Sequence, residues 1–162
     1  MDGTVAVFDT ATAKLMHTLV VRVPLPRRRH ATRRGSRLLL RRAQGMFKPV
    51  RSLAWMPDSW TLACACDDGL VHLYDGEHGQ LMEELKGHTG WVLSVAAAPS
   101  GTALVTGGSE ATVRLWDVAT RTCAQTLSGE HTELVWGCAF SPDGAKLATG
   151  ADDKAIALYA VS

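Results

Sequence analysis

The stretch from Trp91 to Leu127, WVLSVAAAPSGTALVTGGSEATVRLWDVATRTCAQTL, is written more than once in this chain. Pro49 to Leu85, PVRSLAWMPDSWTLACACDDGLVHLYDGEHGQLMEEL, aligns with it without a gap at an offset of 42 residues. Leu134 to Ser162, LVWGCAFSPDGAKLATGADDKAIALYAVS, aligns with it without a gap at an offset of 43. The opening of the chain, DGTVAVFDTATAKLMHTL, matches the second half of the same unit, with Asp2, Phe8, Asp9 and Leu19 falling on Asp68, Tyr74, Asp75 and Leu85. A fixed period of this length marks stacked structural repeats, each one a supersecondary unit.

Each copy reads as four short strands. An apolar run (VRSLAW, VLSVAAA, VWGCAF) leads into a turn at Met56-Pro57-Asp58, Ala98-Pro99-Ser100 or Ser141-Pro142-Asp143, and a second apolar run follows. A tight turn at Asp68-Gly69, Glu110-Ala111 or Asp153-Lys154 reverses the chain into an alternating strand (LVHLY, TVRLW, AIALY), and in two copies a fourth strand (QLMEEL, TCAQTL) comes next. Short strands bounded by turn residues at regular spacing predict an all-β protein. A period near 42 predicts that each unit is the four-stranded blade of a β-propeller. The resulting divisions are the second half of a blade over 1–19, an insertion over 20–43, and repeats over 44–85, 86–127 and 128–162. The first of these repeats has a degenerate start and the last lacks its outer strand.

The 162 residues are 46% hydrophobic and 20% charged. That balance excludes a disordered chain, and no run of eighteen apolar residues is present to make a transmembrane helix. The charge is unevenly placed. VRVPLPRRRHATRRGSRLLLRR, from Val21 to Arg42, holds nine of the 17 basic groups and none of the 16 acidic ones. Cys64, Cys66, Cys123 and Cys138 form no C-x-x-C pair and no spaced Cys/His set of the zinc-binding kind. The opening MDGTVAVFDT reads as acidic and strand-like, unlike a secretory leader, so reduced core thiols in an intracellular protein are expected.

GHTGWVLSV, with Trp116-Asp117 placed 28 residues after His88, resembles a WD repeat, as does His131 with Tyr159 at the same distance. The resemblance implies a propeller of usually seven blades, of which this chain supplies about three and a half. It also implies a buried hydrogen-bond network linking Trp116, Thr106, His88 and the turn acid Glu110, repeated at Tyr159, Thr149, His131 and Asp153. The chemistry suits it: an indole N–H donates to a hydroxyl, the hydroxyl to an imidazole, and the other imidazole nitrogen to a carboxylate. Several positions depart from the pattern. Glu110 stands where the family prefers Asp, and Ala160 follows Tyr159 in place of Asp. Cys64 replaces the hydroxyl residue and Met46 occupies the histidine position, so the repeat over 44–85 is expected to lack the network.

DGTVAVFDTATAKLMHTL, PVRSLAW, HTGWVLSV, TVRLWDVATRTC and VWGCAFSPDGAKLATGADDKAIALY, in this order, resemble the C-terminal blades of one WD subfamily. Its members are shared by the Ski (superkiller) complex of cytoplasmic mRNA decay and the RNA polymerase II-associated Paf complex, and they include a plant vernalization-related relative. The resemblance implies a non-catalytic scaffold for protein subunits of those complexes, in nucleus and cytoplasm, and a chain that is the C-terminal half of a longer protein or else a self-closing dimer. Partner contacts are expected at the blade entrances, Arg51, Trp91 and Trp136, and at the tight turns, Asp67, Ser109 and Asp152. A tryptophan in an inner strand is more often inter-blade core than partner contact, which competes with that role for Trp91 and Trp136; the acidic turn residues are usually only turn formers and solvated charges, and Arg51 is expected to be exposed. A second class, the substrate receptor of a cullin ubiquitin ligase, commonly carries a basic residue two places after the Trp-Asp pair. Ala119 stands there, and the basic residue comes only at Arg121.

No catalytic, cofactor or metal residues are expected. His88 and His131 recur once per repeat with Thr and an acid, as structural groups do and catalytic groups do not. His72 on its alternating strand and His78 in EHGQ are expected to be solvated. Gly107-Gly108 and Asp143-Gly144 lack the loop and helix that hold phosphates. Direct nucleic-acid binding is not expected: the arginine-rich stretch could neutralise phosphates, act as a nuclear import signal, or present Ser36 to a basophilic kinase, but such short basic patterns often occur by chance. The spacing from Phe8 to Tyr74 exceeds the repeat by 24 residues, which places 20–43 in the loop between two blades. Such a loop absorbs insertions at modest entropic cost, and the abrupt composition suits a retained intron or gene-model error better than an evolved arm.

Overall fold

The computed structural model describes residues 4–9, 11–13, 15–20 and 48–161, and its regular elements are all β-strands. The expectations placed on Asp2, Ser36, Met46 and the arginine-rich stretch lie outside the described residues, apart from the backbone of Val20. Blade 1 is the pair β1 (Thr4–Phe8) and β2 (Leu15–Val20). Blade 2 runs β3 (Val50–Trp55), β4 (Thr61–Cys66), β5 (Leu70–Asp75) and β6 (Leu81–Lys86). Blade 3 runs β7 (Val92–Ala97), β8 (Ala103–Gly108), β9 (Val113–Asp117) and β10 (Thr122–Leu127). Blade 4 is β11 (Val135–Phe140), β12 (Lys146–Ala151) and β13 (Ile156–Ala160). Within every sheet each strand pairs antiparallel with its sequence neighbour, so the chain is a partial propeller of three to four blades.

The cores lie between blades. β4 is buried at all six positions because both faces of its sheet are covered. Leu62, Cys64 and Cys66 face Val5, Val7 and Leu19 of blade 1, while Ala63 and Ala65 join Val92, Val95, Leu104 and Trp116 of blade 3. Val105 and Val113 of blade 3 then pack on Val135 and Leu147 of blade 4. β12 and β13 alternate instead, with Ile156 and Leu158 exposed at 77% and 73% on the side away from blade 3. Polar contacts between adjacent inner strands also recur: Ser52 Oγ accepts the Val95 N–H at 3.3 Å, and Ser94 Oγ lies 2.9 Å from Cys138 Sγ.

Two turns are rebuilt in blades 2, 3 and 4 with the same geometry. After the inner strand, Ser59, Gly101 and Gly144 adopt φ of 65°, 75° and 73°, and each returns its N–H to the residue three before it, Met56, Ala98 or Ser141. At the tight turn Gly69, Ala111 and Lys154 take φ of 83°, 62° and 67°. Only glycine enters that left-handed region without steric cost, so Ala111 and Lys154 are held there by the hairpins around them. The residue before the turn acid, Asp67, Ser109 or Asp152, donates its N–H to the carbonyl of Pro49, Trp91 or Leu134. The inner-strand register slips at this level in all three blades, between Val50 and Ser52, Val92 and Ser94, and Val135 and Gly137. Bulges of this kind bend a strand and re-aim a side chain, here Arg51, Leu93 and Trp136.

Leu104 is fully buried between blades 2 and 3. Leu104→Ala leaves a cavity in this core and is expected to cost about 2–5 kcal/mol, measured as a lowered urea midpoint with an unchanged slope.

Candidate protein-interaction site

The bulges and tight turns of blades 2 and 3 together assemble one corner of the surface. Arg51, on the bulge of β3, binds Asp67 with two hydrogen bonds, Nε to Oδ1 at 2.7 Å and Nη2 to Oδ2 at 2.5 Å. Its guanidinium carbon also sits 6.0 Å from the centre of the Trp91 ring, a cation–π distance. The Trp91 N–H in turn donates to Ser109 Oγ at 2.8 Å. Arg51, Asp67, Trp91 and Ser109 are therefore one linked row across the blade 2–blade 3 junction. Arg51 is half-buried and ion-paired, a correction to its expected exposure; the Asp67 carboxylate and its own burial have opposite effects on its pKa, and the carboxylate prevails.

Trp91 is 51% exposed at the junction of two blades that are both described, so it is not inter-blade core, which overturns one of the two readings left open for it; Trp136 is 49% exposed on the side of blade 4 away from blade 3. Their surroundings differ. Trp136 borders a groove with Ile156, Lys154 and Asp152 on the uncovered side of blade 4, whereas Trp91 stands beside an arginine at a corner flanked by blades on both sides. Asp152 has the backbone role of Asp67 and Ser109, but the row described above does not include it or Trp136.

Beneath this surface lie the buried networks. In blade 3, Trp116 Nε1 donates to Thr106 Oγ1 at 2.8 Å, Thr106 Oγ1 is 2.6 Å from His88 Nε2, and His88 Nδ1 is 2.6 Å from Glu110 Oε1. The donor order from indole to hydroxyl to imidazole to carboxylate requires a neutral His88 with its proton on Nδ1. Burial lowers the His88 pKa against the pull of Glu110. Burial by itself would raise the Glu110 carboxyl, but its own backbone N–H, His88 and the Thr112 hydroxyl outweigh that and hold it low. Gly108 is required here, because a Cβ at that position would meet His88 Nδ1 and Glu110 Oε2 well inside contact distance. In blade 4, His131 repeats the pattern with Asp153 at 2.9 Å and Thr149 at 2.8 Å. Burial raises the Tyr159 phenol and a Thr149 hydrogen bond opposes that rise. Both nitrogens of His88 and of His131 are taken by protein groups, so neither imidazole is offered to a substrate.

Blade 2 holds its turn acid differently. Asp68 is bound by His72 from β5, Nε2 to Oδ2 at 2.8 Å, and the His72 side chain has no exposed surface. The expectation of a solvated His72 is thus corrected, although His78 is exposed as expected and bonds Asp75 at 2.8 Å. The overlooked signal was parity: His72 lies two residues from Tyr74, on the sheet face where blade 1 packs. The four cysteines are unpaired. Burial pushes the Cys64 and Cys66 thiols up to about 12 and Cys138 to about 11.

With this geometry in view, the comparisons are informative. Residues 79–117 and 121–159 match the profile of the WD domain, G-beta repeat, and residues 31–96 match that of the anaphase-promoting complex subunit 4 WD40 domain. The chain carries WD40 repeats. It is 32% identical over 94 residues to WD repeat-containing protein 1 of Xenopus tropicalis, covering 55% of this chain and 16% of that protein. It is 31% identical over 88 residues to the COMPASS component SWD3 of Saccharomyces cerevisiae, covering 54% and 27%. It is 38% identical over 58 residues to the nuclear distribution protein PAC1 of Arthroderma benhamiae, covering 36% and 13%. The chain thus spans well under a third of each of these relatives. WD40 repeats and such relatives fit a protein-interaction scaffold.

The blade 3 network ties stability to pH. His88 and Glu110 both have lowered folded pKa values, so the unfolded chain binds more protons and acid favours unfolding. The His88 contribution is full above its ordinary value of 6.5 and is lost as pH falls through the lower folded value. The Glu110 contribution is full above 4.5 and goes the same way at more acid pH. Urea unfolding across this range is expected to show stability falling below about pH 6.5. His88→Ala, which removes one hydrogen bond each from Thr106 and Glu110, is expected to cost about 1–3 kcal/mol and to flatten the upper part of the curve.

Proposed function

We propose that the protein is a non-catalytic scaffold whose partner contact is the corner formed by Arg51, Asp67, Trp91 and Ser109. The observation that carries this reading is the half-exposed Trp91 ring, on a main chain held by its N–H bond to Ser109 and faced by an arginine already oriented by Asp67. A rigid aromatic beside a pre-set guanidinium is the kind of anchor on which binding energy concentrates, and the ordering entropy has been met before a partner arrives. Trp136 and Asp152 extend the surface on blade 4. In our reading, Ile156 and Leu158 are covered by further blades of a seven-bladed ring.

The finer assignment, a subunit shared by the Ski and Paf complexes in cytoplasm and nucleus, rests on the runs WVLSV, VATRTC and VWG, which propeller geometry does not demand. Affinity purification of the full-length protein with mass spectrometry tests it. Ski helicase or Paf subunits are the expected partners, and a cullin adaptor in their place would replace the assignment with the ligase-receptor reading. Trp91→Ala is expected to weaken the recovered interaction by about 2 kcal/mol, roughly 30-fold, with thermal stability nearly unchanged. Undiminished binding by this variant would remove the corner from the account.

A further inference from the structure

The tight-turn corner of blade 2 differs from those of blades 3 and 4 in one chemical respect. Where blade 3 has Gly108 beside the His88 ring, blade 2 has Cys66, and where blade 3 has Arg114 on its third strand, blade 2 has His72. Sulfur therefore enters the space that an imidazole fills next door, and the imidazole arrives from the opposite strand. The outcome is one donor atom each from Cys66, Asp68 and His72, all within 4.8 Å of one another. Cys66 and His72 have no exposed surface and the Asp68 side chain has 5%.

We propose that Cys66 Sγ, Asp68 and His72 Nε2 bind a divalent transition-metal ion, with zinc as the natural occupant. A thiolate, a carboxylate and an imidazole are a donor set that suits zinc. Glu84 supplies the outer support: its Oε1 is buried without a hydrogen-bond partner 3.8 Å from His72 Nδ1, itself also unpartnered. A metal-ligating histidine characteristically turns its other N–H to a carboxylate, which fixes the tautomer with the lone pair on the metal side. These two atoms are buried polar groups with no hydrogen-bond partner, a costly arrangement that a small approach of one to the other relieves. The Lys48 carbonyl, 3.7 Å from Cys66 Sγ, or a water completes a tetrahedral shell. On binding, the Cys66 S–H bond breaks and its proton passes to solvent, the sulfur keeps the electron pair and donates it to the ion, and no oxidant or reductant is involved.

The test uses the complete chain, reduced and chelator-treated, titrated with Co2+. One equivalent is expected to give a thiolate-to-cobalt charge-transfer band in the near ultraviolet, and Zn2+ is expected to abolish it stoichiometrically. Cys66→Ser should lose the band while Cys123→Ser keeps it. Glu84→Gln should keep the band with affinity about 10–100-fold weaker, a split that a merely structural glutamate would not give. No band with the unmodified chain, or a band that survives Cys66→Ser, overturns the proposal. Should Cys66→Ser fail to fold by circular dichroism, X-ray absorption on the zinc-loaded unmodified chain decides. One sulfur among nitrogen and oxygen neighbours supports the site, and none or more than one contradicts it.

Discussion

A sheet with two apolar faces is stable only when both are covered, and that constraint organises everything described above. β4 shows it most plainly. Its side chains alternate between Leu62, Cys64 and Cys66 toward blade 1 and Ala63 and Ala65 toward blade 3, and all are buried. The small residues on one side let Trp116 and Leu104 of blade 3 approach closely, as interior packing density demands. β13 is the converse, with Ile156 and Leu158 exposed because one face alone is packed. The blades are held as a stack, with blades 2 and 3 each supplying half of two cores and blades 1 and 4 half of one.

Stacking leaves the tight turns at the rim, where a largely buried acid must be satisfied in blades 2, 3 and 4, and the chain solves that problem in two ways. Blades 3 and 4 bring an imidazole from the connection that enters the blade and add a threonine hydroxyl. Blade 2, with Cys64 in place of the threonine, brings His72 from its third strand. The same turns place Asp67, Ser109 and Asp152 at matching positions through one backbone bond apiece, so the scaffold repeats while the surface above it varies. Function on such a frame resides in what differs between blades, which is why the Arg51–Trp91 contact and the Cys66 corner stand out.

Much of this was readable in the sequence. The ungapped period located every strand from β3 to β13, and the Pro-containing and acid-containing turns fell where the positive φ residues are. The resemblance to a WD repeat implied the blade 3 network of His88, Thr106, Glu110 and Trp116, and the structure forms each of its links. Less legible were contacts that cross between blades or depend on a bulge. The pairing of Arg51 with both Asp67 and Trp91 needs the register slip in β3 and the neighbouring blade together, and neither is encoded locally. His72 escaped because its alternating strand suggested a solvated face, although its parity with Tyr74 pointed inward. Trp91 and Trp136 carry the same residue type near the same strand end, yet only neighbours distant in sequence decide what each one faces.

Amide hydrogen exchange on the complete chain tests the two-sided packing most directly. The slowest exchange is predicted for β4, β5 and β8, covered on both faces, with β13 and the outer strand β10 markedly faster. Protection of β13 equal to that of β4, or blades 2 and 3 opening independently of each other, would contradict the account.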